Sequence, residues 1–244
     1  MFTYNLSYSA FELYQQCPFK YYQVYILKNR EPANEYALYG VVIHSVLEQM
    51  YEKQEFTRTF ALNLFSSLLD SESRKKNYKK LSQKILQDLE VRGREDLLAF
   101  FLLAEREDLF GPCISQEQML TGKFRSCRLR AKLDLVRSIK GGIGILDWKT
   151  GKPDRKNLLQ LALYAVLYTK LKKQRVDWLV LVYLKTCEIH YIPFDATITQ
   201  EAGKYFGDIY NGLIQDTQFS PKKNKYCNYC SFRHTACPLN KVIL

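Results

Sequence analysis

Residues 128–151, RLRAKLDLVRSIKGGIGILDWKTG, constrain the fold more than any other stretch of the chain. Lys140-Gly141-Gly142 reads as a reversal between two strands, which makes the segment a β-hairpin. With the reversal centred between Lys140 and Gly141, Ser138 faces Ile143 and Asp134 faces Asp147. Facing side chains of an antiparallel pair have their Cβ atoms about 5 Å apart, and like charges there repel. Two carboxylates held this way need positive charge between them, and a divalent cation fits. Lys149 follows Asp147 by two residues and so points to the same face. A slip of one residue would send the set to the other face, so the expected metal site with its neighbouring ammonium depends on this register.

The flanking sequence surrounds the hairpin with a mixed α/β pattern. Upstream, Leu129, Ala131, Leu133 and Leu135 alternate with Arg128, Arg130, Lys132 and Asp134. The apolar set faces a core; the other set is a row of three cations ending at a carboxylate, an arrangement that leads a phosphate backbone towards a metal. Downstream, Leu158–Lys173 reads as a helix carrying Gln160 and Tyr164 one turn apart. Val176–Leu184 is a near-continuous apolar run, expected of a strand buried on both faces, and Glu188–Ile192 reads as the next strand. Thr199–Gln215 is an amphipathic helix. The order strands, helix, strands, helix predicts a mixed sheet flanked by helices.

Ahead of the hairpin, Ser9 and Glu12 form a candidate capping box for a short helix from Ala10 to about Cys17, which Pro18 ends. Glu35–Lys53 has helical periodicity and puts Gly40 and His44 on one face. A glycine inside a helix points to close approach by another backbone, and His44 reads either as a core histidine or as a further ligand for the hairpin site. Residues 55–111 read as a helical insertion. Within it, Arg74, Lys75, Lys76, Lys79, Lys80 and Lys84 crowd around Tyr78, as a solvated face or a grip on phosphate.

Charge narrows the partner. The net charge of +11 points to a polyanion, and 18 Tyr with 14 Phe supply the aromatic surface that binds unstacked bases. No stretch reaches the roughly 18 consecutive apolar residues of a membrane span, and the N-terminus lacks a signal-peptide pattern, so a cytoplasmic protein is expected. Its seven cysteines then read as buried thiols and metal ligands rather than disulfides. Cys227, Cys230 and Cys237 give C-x2-C-x6-C, a metal or cluster pattern with one ligand missing. Cys17 is one candidate, since Pro follows both it and Cys237; His234 is the local rival, for a Cys3His zinc site. Spacing leaves zinc and an iron–sulfur cluster both open.

An N-terminal SYSAFELYQQCPFKYY, a GxxxH helix, an Asp-bearing strand, DWKTGK, QxxxY and a terminal cysteine trio occur here in one order over almost the whole chain. This resembles the RecB-like branch of the PD-(D/E)XK nuclease superfamily, and within it the iron–sulfur nucleases that include CRISPR-associated RecB-like exonucleases and the AddB nuclease domain. The resemblance implies a restriction-endonuclease-like fold in a single domain, residues 1–244. Its parts would be a core at 116–215, a helical insertion at 55–111 and an iron–sulfur clasp from 1–30 and 217–244. It implies Asp134, Asp147 and Lys149 as catalytic residues, with His44, Asp134 and Asp147 holding Mg2+ or Mn2+. Gln160 and Tyr164 would hold DNA near the site, beside Arg128, Arg130 and Lys132. Cys17, Cys227, Cys230 and Cys237 match the ligands of a 4Fe-4S cluster, although six residues separate the last two cysteines where the family often has five. The implied activity is metal-dependent hydrolysis of DNA, most readily at single-stranded ends. The alternative is a weakly active or inactive nucleic-acid-binding subunit of a helicase–nuclease or CRISPR adaptation complex. Related proteins also form rings or work inside larger complexes. A zinc-stapled interaction domain is the remaining rival.

Overall fold

The computed structural model describes residues 5–240 except 30, 33, 79 and 80. Lys79 and Lys80 of the basic run therefore lie outside the described residues. The chain forms two compact units, neither of them one continuous stretch. A terminal unit takes residues 1–32, 121–131 and 200–244, and a central unit takes 33–120 and 132–199.

The central unit is a mixed sheet with helices on both faces. Helices α3 (Glu35–Lys53), α4 (Arg58–Ser73) and α5 (Gln83–Arg106) follow α1 (Tyr8–Gln16) and α2 (Pro18–Tyr21) of the terminal unit, and each of the three starts at a polar cap: Asn34, Thr57 or Ser82 accepts an orphan backbone N–H of the first turn. The strands are β2 (Ser115–Phe124), β3 (Cys127–Ile139), β4 (Gly142–Lys149), β5 (Trp178–Tyr183) and β6 (Glu188–Pro193). β3 and β4 are antiparallel from Leu135↔Leu146 to Ile139↔Gly142, the register expected from the sequence. Lys140 (φ 47°) and Gly141 (φ 77°) are both left-handed, as a two-residue type I′ turn requires. The Lys140 ammonium lies 3.9 Å from the Tyr191 ring centroid, which helps hold a non-glycine residue in that conformation. β4 and β5 run parallel from Gly144↔Trp178 to Lys149↔Tyr183, so they need a crossover, and α6 (Arg155–Lys172) supplies it. β5 and β6 are antiparallel.

One face of this sheet presents Leu135, Leu146, Trp148, Val180 and Val182 to α3, α4 and α5 in a single apolar core. The segment read as a helical insertion is thus the cover of that face. α6 packs against β4 and β5. Because β4 is covered on both sides, Asp147 is buried although it is charged. The expected crowding at Gly40 is not what the structure shows: a Cβ there would meet Thr150 Oγ1 at 3.8 Å, an ordinary contact. Gly93 on α5 is far more crowded, with the Phe65 ring 1.9 Å from the position a Cβ would take.

In the terminal unit, β1 (Asn5–Leu6) pairs in parallel with the start of β3 at Asn5↔Arg128 and Leu6↔Leu129. Then come α1 (Tyr8–Gln16), α2 (Pro18–Tyr21) and a π-helical turn, Tyr22–Ile26. The α1 cap is Ser7, whose hydroxyl accepts from Ala10 N–H, and not Ser9, which lies inside the helix. The signal misled because Ser9 has Glu12 three residues on and Ser7 has only Ala10, while the Ser7 hydroxyl caps the helix without a reciprocal partner. Most of α7 (Ala196–Gln215) belongs here, and Phe206 packs on Phe11 with ring centroids 5.3 Å apart. Tyr14 donates to Asp216 at 3.0 Å.

Gly93 gives a stability test. A Cβ there would fall 1.9 Å from the ring of Phe65, which is fully buried. Gly93→Ala gains about 1 kcal/mol of helix propensity, but overpacking a closed core costs about 1–3 kcal/mol, and 1.9 Å is a severe overlap. Net destabilisation of about 1–2 kcal/mol is expected, read as a lower urea midpoint at unchanged slope. A stabilised variant would refute the tight α4–α5 contact.

Candidate metal centre and active site

The site forms where the β3–β4 ladder ends. Continuing the register one step beyond Leu135↔Leu146 brings Asp134 opposite Asp147. There Asp134 Oδ2 accepts the Trp148 N–H at 2.9 Å, fixing the carboxylate to the neighbouring strand. Asp134 is 9% exposed and Asp147 is 4% exposed, so both carboxylates are costly unless they are compensated.

Compensation comes from two directions. His44, projecting from α3, places Nδ1 3.4 Å from Asp134 Oδ2. Burial pulls its pKa down, but the hydrogen bond and charge of Asp134, with the charge of Asp147, reverse this and leave it above the ordinary value. Lys149 Nζ lies 2.5 Å from Asp147 Oδ2. Burial still raises the Asp147 pKa, with Asp134 adding to the rise and Lys149 opposing it. Asp147 Oδ2 is buried, and its partner is the Lys149 ammonium.

A third acid, one the sequence did not single out, joins the site. Glu117 on β2 brings a carboxylate oxygen to His44 and Asp134, and one ligand atom from each of the three lies within 4.8 Å of the other two. Asp147 stands outside this trio, turned to Lys149. Glu117 has φ 47°, a left-handed kink inside a strand, which breaks the alternation by which a strand residue's face is read. No spacing in the sequence ties it to the hairpin, so no local pattern could have found it. Burial raises its pKa, and Lys132 opposes the rise through an ion pair. Glu48, one turn after His44 on α3, adds charge near both partners. The trio His44, Glu117 and Asp134 offers carboxylate oxygens with one imidazole, a set that suits Mg2+ or Mn2+.

The remaining expected residues fall as follows. Gln160 and Tyr164 sit on the face of α6 nearest the lysine: Lys149 donates to Gln160 Oε1 at 2.8 Å, and Gln160 Nε2 donates to Tyr164 Oη at 3.1 Å. Burial holds the Tyr164 pKa well above the usual phenol value, so its hydroxyl stays protonated. Arg128, Arg130 and Lys132 are exposed and alternate with buried neighbours, as read from the sequence. Lys132, however, is engaged with Glu117 rather than standing free. In the basic run, Arg74 pairs with Asp70 and Lys75 with Glu72 along α4, the behaviour of a solvated helix face.

In the terminal unit, Cys17, Cys227, Cys230 and Cys237 line one cavity of about 530 Å3. His234 is exposed and does not line it. Backbone N–H groups of Lys222 and Asn224 point at Cys17 Sγ (3.5 Å) and Cys227 Sγ (3.3 Å). All seven cysteines are free thiols. No three of the four cavity thiols come within 4.8 Å of one another, so the structure shows a shared pocket and not a closed ligand cage.

Comparison with known proteins gives the following. The family model described as the PD-(D/E)XK nuclease superfamily matches residues 5–238. The crystal structure of a "Putative exonuclease" from Eubacterium rectale is similar at TM-score 0.56 and 16% identity, covering 94% of this chain and 86% of its own. That likeness supports the fold alone. SSO0001 aligns at TM-score 0.40 and 15% identity over 97% of this chain and 86% of its own, too weakly for argument. A search of curated proteins finds no match. No helix among the described residues is long and apolar enough to cross a membrane.

The metal trio has a direct test. Glu117→Gln is expected to weaken Mn2+ binding in isothermal titration calorimetry by about 10-fold or more, the loss that even hydrogen-bond partners of metal ligands produce. Asp134→Ala should abolish the binding. Unchanged affinity in Glu117→Gln would remove Glu117 from the site.

Proposed function

Because the chain belongs to the PD-(D/E)XK nuclease superfamily, we propose that it is a metal-dependent deoxyribonuclease, acting as an exonuclease on single-stranded ends. The observation that carries this reading is the buried Asp134–Asp147 pair with Lys149 beside it. Nothing in packing the sheet calls for two carboxylates and an ammonium at the end of a central strand. Superfamily nucleases use divalent metals, and the donor set of this site fits one.

The roles divide by residue. Asp134, Asp147, His44 and Glu117 hold the cation, Mg2+ or Mn2+. Bound there, it supplies the Lewis acidity that polarises a phosphoryl oxygen and lowers the pKa of water. Lys149 orients the attacking water or meets the charge that develops on the phosphate. Gln160 fixes the Lys149 ammonium, and Tyr164 fixes the Gln160 amide by taking its N–H. This makes the pair part of lysine placement, with any contact to DNA coming from their exposed edges. Exposed Arg128 and Arg130 supply phosphate contacts, a contribution that weakens with salt. Lys132 contributes by neutralising Glu117.

The same proposal includes the narrower likeness to the RecB-like iron–sulfur branch. Four cysteines around one cavity are the donors of a 4Fe-4S cluster, and a cubane holds its thiolates farther apart than a single tetrahedral ion does. Such a cluster would join residues near both chain ends, and long closed loops have the most entropy to lose.

Protein purified without oxygen should degrade end-labelled single-stranded DNA with Mg2+ or Mn2+ and not with EDTA. Asp147→Ala and Lys149→Ala should each lower the rate on the order of 10²–10³-fold. Iron and sulfide should be present in the purified chain and lost in Cys230→Ala. Equal rates in wild type and variants, or intact DNA under every metal, would overturn the nuclease assignment. Zinc in place of iron would overturn the cluster alone.

A further inference from the structure

The catalytic strand has a weak point immediately after its lysine. The β4–β5 ladder ends at Lys149↔Tyr183, and Thr150 and Gly151 form a bend beyond it. The Lys149 carbonyl still accepts the Leu184 N–H at 2.9 Å. The next carbonyl, that of Thr150, has no strand to bond to, and it accepts instead from Arg92 Nη2 of α5 at 3.3 Å.

Arg92 is itself held on two further sides. Its guanidinium lies over the ring of Tyr39, 4.2 Å from the centroid, and its Nε is 3.5 Å from Asp96 Oδ2, one turn along the same helix. Asp96 Oδ2 in turn accepts the Tyr39 hydroxyl, closing the network, and Tyr39 is 1% exposed. A planar guanidinium clamped by a ring, a carboxylate and a backbone carbonyl has little freedom left. None of these residues touches the acids or the lysine. All of them come from helices that cover the sheet and belong to no motif of the site.

We propose that Arg92, held by Tyr39 and Asp96, is a positioning residue that sets the place of Lys149 by tethering the carbonyl of Thr150. The physical reason is one of tolerance. A catalytic ammonium has to be placed to within a fraction of an ångström, and a misplacement of 1 Å can cost 10²-fold in rate. Asp147 and Gln160 hold the tip of Lys149; Arg92 holds the backbone from which it springs. The inference rests on the nuclease reading for its consequence in rate, while the tether itself is a property of the fold.

The test uses the full-length protein and two readouts. Arg92→Met keeps an aliphatic stem over Tyr39 and removes the donors; Arg92→Lys keeps the charge without the fork. With single-stranded DNA and Mn2+, both are expected to lower kcat on the order of 10–100-fold at unchanged KM, with circular dichroism still native at the assay temperature. In a Lys149→Ala background Arg92→Met should cost nothing more, because the group it positions is gone. Hydrogen exchange by mass spectrometry should show faster exchange in a peptide covering residues 146–152 of Arg92→Met. A raised KM at intact kcat, a full further loss in the Lys149→Ala background, or unchanged exchange in that peptide would each overturn the proposal. If the wild type cuts no DNA, the nuclease reading fails, and the exchange measurement alone judges the tether.

Discussion

The hydrogen bond from Trp148 N–H to Asp134 is the interaction on which the site depends. It sits where the hairpin ladder stops, and it turns a backbone donor left over from sheet pairing into the anchor of a carboxylate. Asp134 is thereby fixed opposite Asp147 in an interior where each unpaired charge would cost several kcal/mol. The surroundings answer with His44, Lys149 and, through Glu117, Lys132. The fold tolerates its buried acids because these groups offset their cost, and in the proposed reaction the same groups would act on a phosphodiester.

How much of this was legible follows from how local each signal is. The β3–β4 register could be read because a two-residue turn fixes it, and the side-chain parity of Asp134, Asp147 and Lys149 follows from that turn. The bounds of α3 could be read from its periodicity, and α6, β5 and β6 from theirs to within a few residues. Glu117 could not: it lies on another strand, in a left-handed conformation that breaks alternation, and only tertiary pairing brings it to His44. The role of Arg92 was invisible for a related reason. Helical periodicity in α5 says which face is buried, but not which backbone carbonyl a long side chain on its flank will reach. Gly40 drew attention as a crowded glycine, whereas Gly93 has the ring against it.

The donor chemistry of the two units differs in kind. The central unit offers carboxylate oxygens and an imidazole, and the terminal unit offers thiols. Hard ions such as Mg2+ and Mn2+ favour the first set, while iron–sulfur clusters and zinc favour the second. On the proposed function, loading one site would therefore leave the other available, with no separate device needed to keep the two inorganic partners apart.

The terminal unit is assembled from residues 1–32, 121–131 and 200–244, and this has a consequence for how the chain is made. During synthesis the first 32 residues emerge long before the last segment that completes their unit. At about 5–20 residues per second, the wait between residue 1 and residue 200 is about 10–40 s. Through that interval Tyr8 and Phe11 lack the Phe206 they pack against, and Tyr21 lacks Phe219. The nascent chain thus presents an unmatched aromatic segment to chaperones while the ribosome is still at work. Early termination anywhere before α7 leaves that end permanently unmatched.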